Sequence, residues 1–362
     1  MDGLGEHRGS GGGGDGALWA LDTTLLRGFR YACRPGCGLC CFASPRVEPD
    51  ERGPLLRIRP SLRFGEGADR AFVPSRPDGG ACSLLEGLRC AAWSARPRPC
   101  RRFPLAVHVG ERLQADLVLT CPGVDLAPLL DPAPWTARPP PAGFESELAA
   151  ARDFAPGPVA RRRDAGLRRY RRLRRALERA GRWVPEEEVR AALRRAPLRP
   201  TAEDFPPEEP PSEEEGLDRL PLVFDGGAGP VALASSDTGW RLIELAAEGG
   251  SPGGATLAVP DAPPPRSPAA DRLLDGYLRY VLERDSFLGA AAVGMDPDGD
   301  ESFREAVEHE LRVLGAVVVA RADVLRRRRG SAADSLSVDD LAMGIRATDM
   351  DWLDLPSWGD RL

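Results

Sequence analysis

The chain of 362 residues contains no lysine and no asparagine, only three isoleucines, and three histidines at His7, His108 and His309. These residue types share A/T-rich codons or are rare here, which fits a GC-rich coding sequence. Whatever their origin, the gaps remove chemistry. Without lysine there is no Walker phosphate loop, no pyridoxal Schiff base and no kinase-type lysine contact to a nucleotide. Without asparagine there is no N-glycosylation acceptor. Three scattered histidines argue against a histidine-rich metal site and against most Ser-His or Cys-His catalytic sets. All 49 basic side chains are arginine, and with 55 acids the net charge is −6. That balance gives no global nucleic-acid footprint. Gly 40 and Pro 36 predict many turns.

What is present in unusual concentration is cysteine. All eight lie at Cys33, Cys37, Cys40, Cys41, Cys82, Cys90, Cys100 and Cys121, and the 241 residues after Cys121 have none. Such density fits a disulfide scaffold or a metal domain. Residues 1–16 are half glycine and lack the basic and apolar regions of a signal peptide. No apolar run approaches the roughly 20 residues needed to span a bilayer. The expected setting is therefore a reducing cytoplasm, where thiols serve metal or redox work.

The first group reads Cys33-x3-Cys37-x2-Cys40-Cys41. Four thiols in nine residues must converge on something or repel one another once ionised. Cys37-Gly38-Leu39-Cys40 has the form of a metal knuckle, in which Gly38 permits the positive φ of a tight turn. The second group, Cys82, Cys90, Cys100 and Cys121, is spread out. Cys100 sits in the loop Arg96-Pro97-Arg98-Pro99-Cys100-Arg101-Arg102. A four-thiolate zinc site or [4Fe–4S] cluster carries about −2 charge, which Arg34, Arg89, Arg96, Arg98, Arg101 and Arg102 would stabilise. In a lysine-free chain, though, every surface cation must be arginine, so spacing speaks for metal more strongly than the arginines do.

This pattern, with Gly80-x-Cys82, Leu84–Leu85, Arg96-Pro97-x2-Cys100-Arg101, Phe103-Pro104 and the late Cys121, resembles the YkgJ-type cysteine-cluster family. The resemblance covers about residues 29–125. It implies a zinc- or iron-chelating domain, and a flagellin lysine-N-methylase shares the cysteine pattern, which would make redox or protein-methylation chemistry an activity to consider. Cys90-Ala91-Ala92-Trp93 stands where the family usually shows Cys-x-Ile-Tyr. Eight thiols suffice for two all-cysteine zinc sites. The uneven first run is unlike paired zinc knuckles, so an iron–sulfur cluster is slightly preferred over zinc.

Other readings are weaker. Cys33-x3-Cys37-x2-Cys40 has radical-SAM spacing, but Leu39 replaces the customary aromatic and no alternating strand–helix units follow. Asp296-x-Asp298-x-Asp300 resembles a calcium loop, yet Glu301 and Val307 occupy its glycine and terminal glutamate positions, so a surface turn is expected. His108 reads as a structural strand residue and His309 as a solvent-facing one.

The expected fold class is α+β. Along the chain we expect a disordered tail at 1–16, a small irregular metal-stabilised cysteine domain at 17–135, a Pro-rich connector with basic helices at 136–199, an acidic linker at 200–219, a separate C-terminal α+β domain at 220–330 and an acidic segment at 331–362. In the cysteine region, strands are expected at Phe29–Tyr31, Leu55–Ile58 and Leu113–Thr120. Residues 161–199 hold fifteen arginines against five acids. Leu167, Tyr170, Leu173, Leu177 and Ala180 give that stretch an amphipathic helix ending near Gly181, and a second helix starts at Pro185. Such a face can hold nucleic acid, but few aromatics interleave it, and a solvated helix face is the expected reading. Four strands between Leu220 and Val259 precede helices at 268–288, 301–328 and 338–346. The sequence thus predicts a metal-binding cysteine-cluster protein, the alternative being a zinc-stabilised scaffold that binds a protein or nucleic acid; it identifies no catalytic residues.

Overall fold

The computed structural model describes residues 20–349 apart from 35, 43–44, 67–70, 75–80, 110–111, 153–155, 208–219, 225–229, 246–253 and 297–298. The tail at 1–16 and most of the acidic linker lie outside the described residues. The chain is α+β, with short strands first and long helices last. Strand β1 (Leu21–Asp22) is followed by β2 (Arg46–Val47), helix α1 (Pro49–Ile58), β3 (Gly65–Glu66) and β4 (Ala71–Phe72). The hairpin β5 (Leu85–Glu86) and β6 (Arg89–Cys90) leads to a short helix α2 (Arg98–Arg102) and the longer hairpin β7 (Leu105–Val109) and β8 (Leu113–Leu117). Helices α3 (Glu145–Arg152), α4 (Pro156–Arg179) and α5 (Glu186–Leu193) come next, then strands β9 (Leu222–Phe224), β10 (Pro230–Ser236), β11 (Gly239–Glu244) and β12 (Gly254–Leu257). The chain closes with α6 (Pro268–Leu282), α7 (Asp285–Gly294), α8 (Phe303–Arg328) and α9 (Val338–Thr348).

Three local expectations need correction. Leu55–Ile58 is the end of α1 and not a strand. Glu48 and Glu51 form a capping box, and Pro49 stands where a missing N–H costs nothing, so a helix nucleates there. Phe29–Tyr31 makes only isolated bridges, from Arg30 to Ala142 and from Tyr31 to Val124. The helix expected over 268–288 breaks after Leu282, because Arg284 turns to an extended ψ of 120° as its side chain enters the interior. The helices expected at 301–328 and 338–346 match closely, and like α6 each opens on a serine N-cap (Ser267, Ser302, Ser337).

Two cores divide the buried residues. The larger joins Phe29, Leu117 and Leu129 from the first third of the chain to Tyr280, Val318 and Ile345 from the last. Helix α8 runs through it, apolar on nearly all sides along 314–325, as befits a helix buried all round. The smaller core packs Cys37, Cys41 and Cys82 with Leu39, Phe42, Leu55 and Leu85. The antiparallel sheet β12-β11-β10-β9 lies between the two. Successive side chains of a strand point to opposite faces. Val231, Leu233, Trp240 and Leu242 accordingly enter the larger core, and Ala232, Ala234 and Ile243 enter the cysteine core. This sheet therefore forms a wall of the cysteine site.

The β7–β8 hairpin is fixed to the start of α7 by buried polar pairs. The Asp285 amide donates to the Gln114 side-chain oxygen at 2.7 Å, and the Ser286 hydroxyl to Asp116 at 2.8 Å. These contacts give the buried polar groups of β8 their partners. Among the described residues no helix is long and apolar enough to cross a membrane.

Candidate metal centre

All eight cysteines are free thiols: Cys33 is exposed, Cys40, Cys90 and Cys100 are half-buried, and Cys37, Cys41, Cys82 and Cys121 are buried. Distant segments bring them together. The knuckle turn forms as its sequence suggests: Gly38 has φ of +60° and the Cys41 amide donates to the Gly38 carbonyl at 2.9 Å. The Cys82 amide donates to the Cys41 carbonyl, which ties the second cysteine group to the first. Cys90 arrives opposite Leu85 in the β5–β6 hairpin, Cys100 on α2, and Cys121 in the turn after β8.

Cys40 is the centre of this neighbourhood. Each of the other seven cysteines interacts electrostatically or by hydrogen bond with it. The Cys41 thiol shares its proton with Cys40 and Cys90. Donating those bonds pushes Cys41 far above the ordinary thiol range, while accepting them lowers Cys40 and brings Cys90 to about 7. Burial raises Cys82 to about 11 and Cys121 to about 12, with neighbouring sulfurs adding to both. Cys33, Cys37 and Cys100 are also raised, first by burial and then by neighbouring thiols.

Five of the sulfurs are answered by the backbone, Cys40 by its own amide and four others by a later one. The amide two residues on donates to the sulfur at Cys37 (from Leu39, 3.5 Å) and Cys82 (from Leu84, 3.5 Å), and likewise at Cys90 (from Ala92) and Cys121 (from Gly123). An amide aimed at a sulfur favours the ionised form, the form that ligates metal. Guanidinium groups add to this. Arg96, stacked on exposed Trp93 at 3.6 Å, favours the thiolates of Cys33, Cys40, Cys90 and Cys100. Arg34 does so for Cys37, Arg59 for Cys82 and Arg346 for Cys121.

This arginine shell is only partly the expected one. Arg98 is drawn instead to Asp50 at 2.8 Å, and Arg101 to Glu51 at 3.4 Å. Arg102 is buried and pushed down to about 10 by desolvation and by Arg46. Arg59 and Arg346 escape a sequence reading because they lie outside the cysteine-dense stretches. His108 is buried on β7 and His309 is exposed on α8, so neither histidine belongs to the thiol group.

The donor set is soft and all sulfur, which suits zinc or iron–sulfur centres over hard cations. Among the described residues no three His, Cys, Asp or Glu side chains stand in a ready ligating arrangement. Cys41 shares its proton with Cys40 and Cys90, and closing a centre on the thiols requires their protons to leave.

No curated protein and no solved structure matches the chain. Residues 32–122, about a quarter of the chain, match the family model CxxCxxCC, described as a "putative zinc- or iron-chelating domain". Over those residues the chain carries a cysteine-cluster domain similar to that zinc- or iron-chelating family.

Proposed function

We propose that the cysteine segment holds a resident zinc or iron centre on thiolates. Its ligands come from Cys33, Cys37, Cys40, Cys41, Cys82, Cys90, Cys100 and Cys121, with Cys37, Cys82, Cys90 and Cys121 foremost. The observation that carries this reading is the backbone amide directed at each of those four sulfurs. Hydrogen bonds to sulfur stabilise thiolate ligands and tune the centre they hold. Arg34, Arg59, Arg96 and Arg346 supply positive charge against the roughly −2 of a four-thiolate site.

Between the two metals, the uneven run Cys33-x3-Cys37-x2-Cys40-Cys41 favours an iron–sulfur cluster over separate zinc knuckles. The convergence of seven thiols on Cys40 agrees with one shared centre or two adjacent ones. A bound cluster would supply electron transfer or Lewis-acid chemistry; a closed zinc site would supply rigidity.

Anaerobic purification of the full chain, with metal and sulfide analysis and an absorption spectrum, tests this reading. Iron with inorganic sulfide and a broad visible charge-transfer band supports the cluster. Zinc at one to about two ions per chain supports the thiolate site and rejects the iron preference. A chain that takes up neither metal overturns the proposal.

A further inference from the structure

A cleft of about 760 Å³ opens between α6, α5, the hairpin strand β8 and the segment 129–138. It lies outside the cysteine group, and its volume falls in the range of small-molecule sites. Its floor is charged but internally neutralised. Arg112 bridges Asp22 and Asp285 at 2.8 Å each, and buried Arg190 holds Glu187 at 2.9 Å and Asp285 at 2.8 Å. These pairs are spent on one another.

The mouth is different. Arg272 and Arg279 both line the cleft, both are exposed, and neither forms an ion pair among the described residues. They lie seven residues apart on α6, two turns and about 10 Å along one face. The acids that would ordinarily neutralise them on the same helix are already engaged. Asp275, three residues after Arg272 and four before Arg279, is held by Arg199 through two hydrogen bonds of 3.3 and 3.1 Å. Glu283, four residues after Arg279, is held by Arg194 at 2.7 and 2.9 Å. Asp271 is taken by Arg199 and Arg266. Arginines from other elements have thus claimed the acids of this helix, leaving two guanidiniums facing a cavity.

Gly276 sits midway between the two arginines on the same face. A Cβ there would stand 1.7 Å from the Leu129 carbonyl oxygen, so the absence of a side chain lets the turn Ala127–Leu130 press directly on α6. That contact supplies the cleft with an apolar wall of Leu129, Leu130 and Pro134 beside the cations.

We propose that this cleft binds a small oxyanion-bearing molecule, its phosphate or carboxylate group held by Arg272 and Arg279 and its less polar part laid against Leu129 and Leu130. A guanidinium presents paired N–H donors that match either oxyanion. The site is independent of the metal reading, since none of its residues is a cysteine.

The test is calorimetric titration of the full chain as purified with inorganic phosphate, pyrophosphate and succinate, at low and at physiological salt. Saturable binding of at least one of these is expected, weakening as salt rises because the arginines are exposed. The R272A/R279A double variant should lose about tenfold or more in affinity. Both side chains are exposed and without ion pairs among the described residues, so the variant should keep the wild-type melting temperature and metal content. A preference for pyrophosphate or phosphate points to a phosphorylated ligand, and a preference for succinate to a carboxylate. Absence of saturable binding below about 10 mM, roughly a −2.7 kcal/mol interaction, or equal binding by the double variant, overturns the proposal.

Discussion

Arg346 donates a hydrogen bond to the carbonyl of Cys121. The same guanidinium reaches the carbonyls of Leu119 at 2.9 Å and Val124 at 2.7 Å, so one side chain from α9 gathers the whole turn that carries the last cysteine. It is buried deeply enough that desolvation lowers it to about 10, yet it remains a cation at neutral pH and favours the Cys121 thiolate.

Replacing Arg346 with alanine would take a donor from three inward carbonyls, of which that of Cys121 keeps the Val124 amide at 3.1 Å. Unsatisfied buried polar groups cost roughly 1–3 kcal/mol. The R346A variant should therefore unfold at lower denaturant and surrender metal faster to a competing chelator. The lysine variant, which keeps the charge but not the fork of donors, should fall between. Equal chelator-release rates in all three proteins would show that Arg346 does not position Cys121.

Serine at Cys37, Cys82, Cys90 or Cys121 removes a sulfur that the backbone is already built to support. Each single variant should lose metal affinity by more than the ten- to hundredfold typical of altering a ligand's outer partners. Metal-to-protein ratios after gel filtration against a chelator give the readout. Full retention of metal in any of the four removes that residue from the ligand set.

The metal-free protein should alkylate at Cys90 and Cys40 before Cys82 and Cys121. The proton shared from Cys41 lowers Cys40 and brings Cys90 to about 7, whereas Cys82 and Cys121 stand near 11 and 12. A lowered value means the reactive thiolate is present above pH 7 and disappears below it. Labelling with iodoacetamide between pH 6 and 9, located by peptide mass mapping, should show Cys90 rising through this window while Cys82 and Cys121 stay unmodified. Metal affinity should fall over the same range as pH drops, because protons and metal compete for the sulfurs.

Asp349 is the counterion of a buried cation. Its carboxylate accepts from Arg284 at 2.8 and 3.1 Å, from the Tyr277 hydroxyl at 3.1 Å and from the Leu119 amide at 2.7 Å. Both members of the ion pair are almost fully buried. Removing one partner of such a pair strands the other, at a cost of about 3–5 kcal/mol. The D349A variant should show that loss in equilibrium denaturation, and the Leu119 contact should carry part of it to the Cys121 turn as weaker metal retention.

Much of the candidate site is legible in the sequence, for local reasons. Cys37-Gly38-Leu39-Cys40 specifies a turn through its own φ requirement, and the serine N-caps of α6, α8 and α9 mark those helices without reference to anything distant. The strand expected at Leu55–Ile58 fails because a short apolar pattern is ambiguous, and the Glu48–Glu51 capping box upstream decided for helix. The shell around the sulfurs is less legible. Arg98 and Arg101 adjoin Cys100 in sequence but pair with Asp50 and Glu51, while Arg346, 225 residues beyond Cys121, does the work of support.

By itself the sequence determined the chemistry: a chain without lysine or asparagine, with three histidines, has thiolates as its concentrated reactive groups, and composition needs no fold to say so. Tertiary structure decided which groups surround them. Long-range packing put Cys40 among seven other sulfurs, set one face of β9–β11 against the cysteine core, and brought Arg346 to Cys121. It also gave Asp271 and Asp275 to Arg199 and Glu283 to Arg194, leaving Arg272 and Arg279 without an ion pair among the described residues. Pairings of this kind depend on which surfaces meet, and a linear pattern of residues carries turn, cap and periodicity but not the partner across a core.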